Sequence, residues 1–160
     1  MSEEKKDTVM VSGGFDPVHV GHIRMIRSAA KYGDVIVIAN SDEWLYRKKG
    51  FNFMEFKARR EILDSIKGVL LVDSVDDSDG TVCGAIKRHK PTYFANGGDR
   101  GKDNTPEVLL CKQLGVKLLW EIGGKEKVAA SSDLVKRAQE KTEDDDVEPP
   151  LRYRSKPSGR

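Results

Sequence analysis

Two cysteines, Cys83 and Cys111, are all that a chain of 160 residues carries. They stand far apart and form no C-x-x-C pair, which argues against a disulfide framework or a zinc site and suits a reducing compartment. No apolar run approaches the roughly 20 residues that cross a bilayer. The opening M-S-E-E-K-K-D-T has no apolar segment of the secretory kind. A soluble, cytoplasmic protein with no membrane partner is expected. An excess of one charge is also missing: 28 Lys and Arg face 26 Asp and Glu, a net charge of +2. The basic residues are spread out, so nucleic acid is not the expected partner, although a small anion needs only a local positive patch. The two familiar phosphate loops are absent as well. No G-x-G-x-x-G follows the first apolar run, and no G-K-[ST] completes a P-loop.

What the chain does have is an alternation of short apolar runs with amphipathic stretches. Thr8–Val11, Asp34–Asn40, Gly68–Val72, Thr92–Ala95 and Val116–Trp120 read as strands. The second is apolar without a break from Val35 to Ala39, as in a parallel strand covered on both faces. Helices are expected over Val20–Ala30, with Ile23, Ile26 and Ala30 on one face, and over Phe56–Ile66, with Ala58, Ile62, Leu63 and Ile66. Two more are expected from Thr81 to His89 and from Thr105-Pro106 onward, the last burying Leu109, Leu110 and Leu114. Residues 44–50, W-L-Y-R-K-K-G, have little periodicity and read as a mobile basic loop.

This order predicts an α/β fold: a single Rossmann-like, three-layer α/β/α domain over residues 8–140, with a five-stranded parallel sheet. Residues 1–7 read as a flexible N-terminus. Residues 141–160, acidic then basic and rich in proline, read as a disordered or partner-docking tail.

The stretch V-M-V-S-G-G-F-D-P-V-H-V-G-H, from Val9 to His22, is strand, loop and helix start in that order. Gly13 and Gly14 let the backbone approach a phosphate closely, and the helix start aims free N–H groups and a partial positive charge at it. His19 and His22, three residues apart, can both face the same ligand there. Two imidazole donors suit an anionic transition state and require no nucleophile.

Further candidates follow the later strands. Ser41 and Asp42 either cap a helix or lie near the ligand. Lys48 and Lys49 offer ammonium groups to a transferring phosphoryl group. Arg59, on a helix, suits bidentate phosphate recognition or an ordinary surface salt bridge. Asn96-Gly97-Gly98-Asp99 is a second glycine turn, whose carboxylate can hold a ribose hydroxyl or help to orient metal-bound phosphates. Ser131 and Ser132 open the last helix, where hydroxyls and N–H groups again suit a phosphate. His89, beside Lys90 and Pro91, reads as a structural helix end.

At its first loop the chain resembles the HxGH nucleotidyltransferases, whose pattern is G-x-F-D-x-x-H-x-G-H. Gly14-Phe15-Asp16-Pro17-Val18-His19-Val20-Gly21-His22 matches that pattern, so the resemblance adds Phe15, Asp16 and Gly21 to the nucleotide site. It implies that Lys49, before Gly50, or Lys48 is catalytic, as in the heptose-phosphate adenylyltransferase and glycerol-3-phosphate cytidylyltransferase branches respectively. It also implies that Arg59, in R-x-x-x-L, contacts phosphate. The G-G-D turn matches a K-G-G-D segment of the heptose branch, with Asn96 in place of the lysine. Ser131 and Ser132 match the segment that receives the triphosphate.

The activity implied is transfer of AMP or CMP from ATP or CTP to a phosphorylated sugar or polyol, with pyrophosphate released. Mg2+ accompanies the triphosphate, no residue is singled out as a metal ligand, and a homo-oligomer, a dimer, is expected. The alternatives are a coenzyme or phospho-alcohol nucleotidyltransferase and a non-catalytic nucleotide-binding protein.

Overall fold

A computed structural model describes residues 6–96, 105–120 and 122. The 97–99 part of the second glycine turn, Ser131 and Ser132, the first residues of the N-terminal segment and the C-terminal tail lie outside the described residues. Five strands, β1 (Thr8–Gly13), β2 (Asp34–Ala39), β3 (Val69–Asp73), β4 (Tyr93–Asn96) and β5 (Lys117–Trp120), pair in the order β3-β2-β1-β4-β5. All four ladders are parallel. The helices are α1 (Val20–Ala29), α2 (Asp42–Lys49), α3 (Phe56–Asp64), α4 (Cys83–His89) and α5 (Pro106–Leu114).

Alternation along the central strands builds the three layers. On one face Val9, Val11, Val35, Val37 and Ala39 pack with Ile26 and Ala29 of α1 and Leu63 of α3. On the other Met10, Ile36, Ile38 and Phe94 pack with Ala85 and Ile86 of α4 and Cys111 of α5. Each Val, Leu, Ile, Met or Phe side chain among these contributes about 1.5–3 kcal/mol when fully buried. The unbroken apolar run of β2 is therefore explained by coverage on both faces.

β1 and β2 run in register from Thr8↔Asp34 to Gly13↔Ala39, so their carboxyl ends are level. β1 has β2 on one side and β4 on the other. Strand order reverses there, which opens a crevice beyond the carboxyl end of β1.

Several local expectations are corrected. Residues 44–50 are not a mobile loop: they complete α2, which has the full set of helix-end signals. Ser41 caps it by accepting from the Trp44 N–H, Asp42 and Glu43 occupy the first turn, and Arg47, Lys48 and Lys49 the last. Gly50 closes it in the left-handed conformation at φ 83°. The weak periodicity arises because Leu45 is the only fully buried residue of α2.

In α3 the inward stripe is Phe56, Arg59, Leu63 and, just past the helix, Ile66, whereas Ala58 is exposed and Ile62 is 38% exposed. Arg59 lies on this stripe although it is polar, which periodicity, counting only apolar side chains, does not signal. β3 is an edge strand with Leu70 53% exposed, not a strand buried like β2. α5 starts at Pro106 behind a Thr105 cap, as expected, but it buries Val108 and Cys111 while Leu109 and Leu114 face outward.

Candidate active site

The loop after β1 folds tightly against the sheet. Phe15 sits at φ 52° with its ring buried, and the ring meets His22 edge-on at 4.8 Å between centroids. Asp16, next in the chain, is 1% exposed. His19 is the N-cap of α1: its Nδ1 accepts from the Gly21 N–H at 3.1 Å, and the His22 Nδ1 accepts from the His19 N–H at 3.2 Å. The two rings stack at 3.8 Å.

This reciprocal capping decides the tautomers. A neutral imidazole whose Nδ1 accepts a hydrogen bond carries its proton on Nε2. Both rings therefore present an Nε2–H donor at the helix N-terminus. The His19 Nε2 is shielded and has no partner among the described residues, a donor left open where an acceptor would have to come from a ligand. Burial, and then the charge of His19, hold the His22 pKa down at about 4, and burial lowers His19 as well. At neutral pH both rings are uncharged hydrogen-bond donors.

α2 brings the lysines to the same loop. The Lys49 Nζ donates to the Asp16 carbonyl at 2.7 Å and to the Asp16 carboxylate at 3.1 Å. The Asp16 carboxylate also accepts from the Phe53 N–H at 2.8 Å and the Met54 N–H at 2.7 Å, which draws residues 50–54 across to the histidine loop. Lys48 instead lies over the Trp44 ring, its Nζ 4.7 Å from the centroid. At Gly14 the loop lies close against α2: a Cβ there would stand 3.0 Å from a Leu45 methyl carbon and 3.6 Å from the Trp44 ring.

Arg59 takes a part that its position on a helix did not suggest. Its side chain is 0% exposed. Nε donates to the Met54 carbonyl, one terminal nitrogen to the Gly14 and Asn40 carbonyls at 2.7 Å each, and the other to the Asp42 carboxylate at 2.7 Å. One guanidinium thus ties together the histidine loop, the end of β2, the start of α2 and the 50–54 loop. Burial pushes the Asp42 carboxyl up, but the hydrogen bond and charge of Arg59, with bonds from Phe56 and Asn52, outweigh it and leave Asp42 below the usual range.

Asp77 was not singled out in the sequence, where it is one acid among four. It is 3% exposed and accepts from the Asn40 side chain at 3.0 Å, the Ser41 N–H at 2.8 Å and the Ser41 hydroxyl at 2.6 Å. Ser41 is therefore a cap held in place by Asp77, and Asp42 is the partner of Arg59. Nothing in the D-D-S-D spacing signals this, because the partners of Asp77 are 36 and 37 residues away. His89 is structural as expected, with its Nε2 2.7 Å from the Asp73 carboxylate. Asn96 ends β4, next to β1 in the sheet.

The structure therefore brings Gly13, Gly14, Phe15, Asp16, Gly21, His19 and His22 together with Lys49 and Arg59 at one end of the sheet. Residues 10–138 match the family described as cytidylyltransferase-like. The chain belongs to the cytidylyltransferase-like family. An FAD synthase from Pyrococcus horikoshii is 34% identical over 123 residues, 74% of this chain and 80% of that protein. The bifunctional protein HldE of Gluconobacter oxydans is 31% identical over 114 residues, 69% of this chain but 23% of the relative. The chain thus spans about a quarter of the length of the HldE relatives it matches. Among solved structures, a lipopolysaccharide core biosynthesis protein from Thermoplasma volcanium superposes with a TM-score of 0.59 at 23% identity, over 72% of this chain and 96% of that one. That likeness carries the fold. No described helix is long and apolar enough to cross a membrane.

Proposed function

We propose that this cytidylyltransferase-like domain transfers a nucleotidyl group from a nucleoside triphosphate to a phosphorylated small molecule. An acceptor phosphate oxygen attacks the α-phosphorus in line, a new P–O bond forms, and the bond to the β-phosphate oxygen breaks as pyrophosphate leaves. His19 and His22 donate their Nε2–H groups to phosphoryl oxygens, and a lysine at the end of α2 neutralises developing charge. The observation that carries this reading is the pair of locked, neutral Nε2–H donors at the start of α1. They can stabilise charge without passing on a proton, and no covalent nucleophile is required.

Mg2+ is expected with the triphosphate and would help neutralise its charge. Among the described residues no group of three His, Cys, Asp or Glu could hold a metal ion. The donors at this loop are N–H groups, suited to anionic oxygen, so the phosphates themselves would carry the ion.

The acceptor favoured by the G-G-D turn and by the HldE similarity is a sugar phosphate or polyol phosphate, with ATP preferred over CTP. A second acceptor, a coenzyme precursor carrying a phosphate, is favoured by the FAD synthase similarity, which spans most of that relative. A panel separates them: ATP or CTP against heptose 1-phosphate, glycerol 3-phosphate, phosphocholine, phosphopantetheine and FMN, read by pyrophosphate release. Within the productive pair, His19→Ala and His22→Ala should each lower kcat about 100-fold or more while largely sparing triphosphate binding. Near-normal turnover in either folded variant would sink the assignment.

A further inference from the structure

Two neighbouring lysines end α2, and the geometry separates them. Lys48 rests on the Trp44 ring, on the outer side of the helix. Lys49 turns inward to the histidine loop, with its side chain 19% exposed. An ammonium has three N–H donors. Two of those on Lys49 go to Asp16, one to its carbonyl and one to its carboxylate, and among the described residues the third has no acceptor. The flanking Phe51 and Phe53 rings stand 5.5 and 5.8 Å from the Nζ, so the charge is screened on the loop side. Asp16 itself is pinned by the Phe53 and Met54 amides and lies three residues before His19. The ammonium is therefore fixed relative to the imidazole donors by one buried carboxylate.

We propose that Asp16 is a positioning residue: it holds Lys49 beside the histidine pair with one N–H directed to the triphosphate, and Lys49, not Lys48, is the lysine of the transfer. This rests on the nucleotidyl-transfer reading above. Pre-placing the ammonium removes the ordering cost that a free lysine would meet when the triphosphate binds.

The test is a double-mutant cycle of Asp16→Asn and Lys49→Met, with Lys48→Met beside it. Each variant is titrated with MgATP and MgCTP and trace-labelled with acetic anhydride to read the reactivity of each lysine by mass spectrometry. A charge-assisted hydrogen bond of this kind supports a loss of about tenfold or more in triphosphate affinity for Asp16→Asn and for Lys49→Met. The double variant should bind no more weakly than Lys49→Met alone. Lys49 should label several-fold faster in Asp16→Asn, with Lys48 unchanged, an effect that a purely structural role for Asp16 would not confine to one lysine. Losses that multiply in the double variant, or a Lys49 labelling rate unaffected by Asp16→Asn, would overturn the proposal.

If Asp16→Asn fails to fold, the lysine pair still decides: a loss in Lys48→Met equal to that in Lys49→Met refutes the assignment. A wild-type chain that binds neither triphosphate removes the nucleotidyl-transfer reading, while labelling of Lys49 still reports whether Asp16 holds it.

Discussion

Replacing Arg59 by methionine keeps an apolar stem and removes five donors from the interior. The Met54, Gly14 and Asn40 carbonyls lose their bonds to the guanidinium, and Asp42 loses its charge partner. The Asp42 side chain is 32% exposed, so water can replace much of what it loses. The three carbonyls are less able to recover, and stranding buried polar groups at about 1–3 kcal/mol each gives a total of about 3–9 kcal/mol. That matches the cost of breaking a buried charge pair, and it is a large part of the stability of an ordinary domain. At about 2–4 °C per kcal/mol for a chain of this size, such a loss lowers Tm by at least about 6 °C.

Arg59→Lys should recover only part of this, because one ammonium cannot reach all four segments that the guanidinium joins. Thermal unfolding followed by circular dichroism, with MgATP titration of the same samples, is the assay. In this reasoning nucleotide affinity falls together with Tm, since the histidine loop loses its brace. An Arg59→Met variant with a wild-type Tm and a selective loss of triphosphate binding would refute it, and would mean that the guanidinium leaves the interior to contact phosphate, as the family resemblance implies.

Three other outcomes can be checked independently. Because His22 has its pKa lowered from 6.5 to about 4, the unfolded chain takes up a proton that the folded one refuses; its contribution is complete above pH 6.5 and is lost as pH falls towards 4, by at most about 3 kcal/mol. Denaturant melts of the chain and of His22→Ala at pH 7.5 and 4.5 measure this; a pH-dependent loss of the same size in both would mean that the His22 imidazole titrates unshifted. Leu63→Ala should cost about 2–5 kcal/mol and Ile62→Ala less than about 1 kcal/mol, as urea unfolding will show, because only the first lies inside the sheet–helix layer. Gly14→Val brings branched carbons onto Leu45 and Trp44, and should cost about 1–3 kcal/mol and weaken triphosphate binding, with Gly14→Ala milder in both readouts.

The layered parallel sheet was legible in the residues, since strand periodicity and apolar runs state which side of an element is buried. So was the histidine loop, because its parts lie within nine residues and act on one another through local helix-start geometry. Helix α2 was missed, as a helix with one buried residue leaves no apolar stripe; Ser41, the acidic first turn, the basic last turn and Gly50 carry its signal. What only the tertiary structure decided was the company kept by polar side chains. Arg59 lies inside because carbonyls 19 and 45 residues away converge on it. Asp16 meets Lys49 across 33 residues, and Asp77 meets Ser41 across 36. A hydrogen bond between distant residues leaves no periodic trace in a chain, so a buried arginine and a surface one read alike until strand order places their partners.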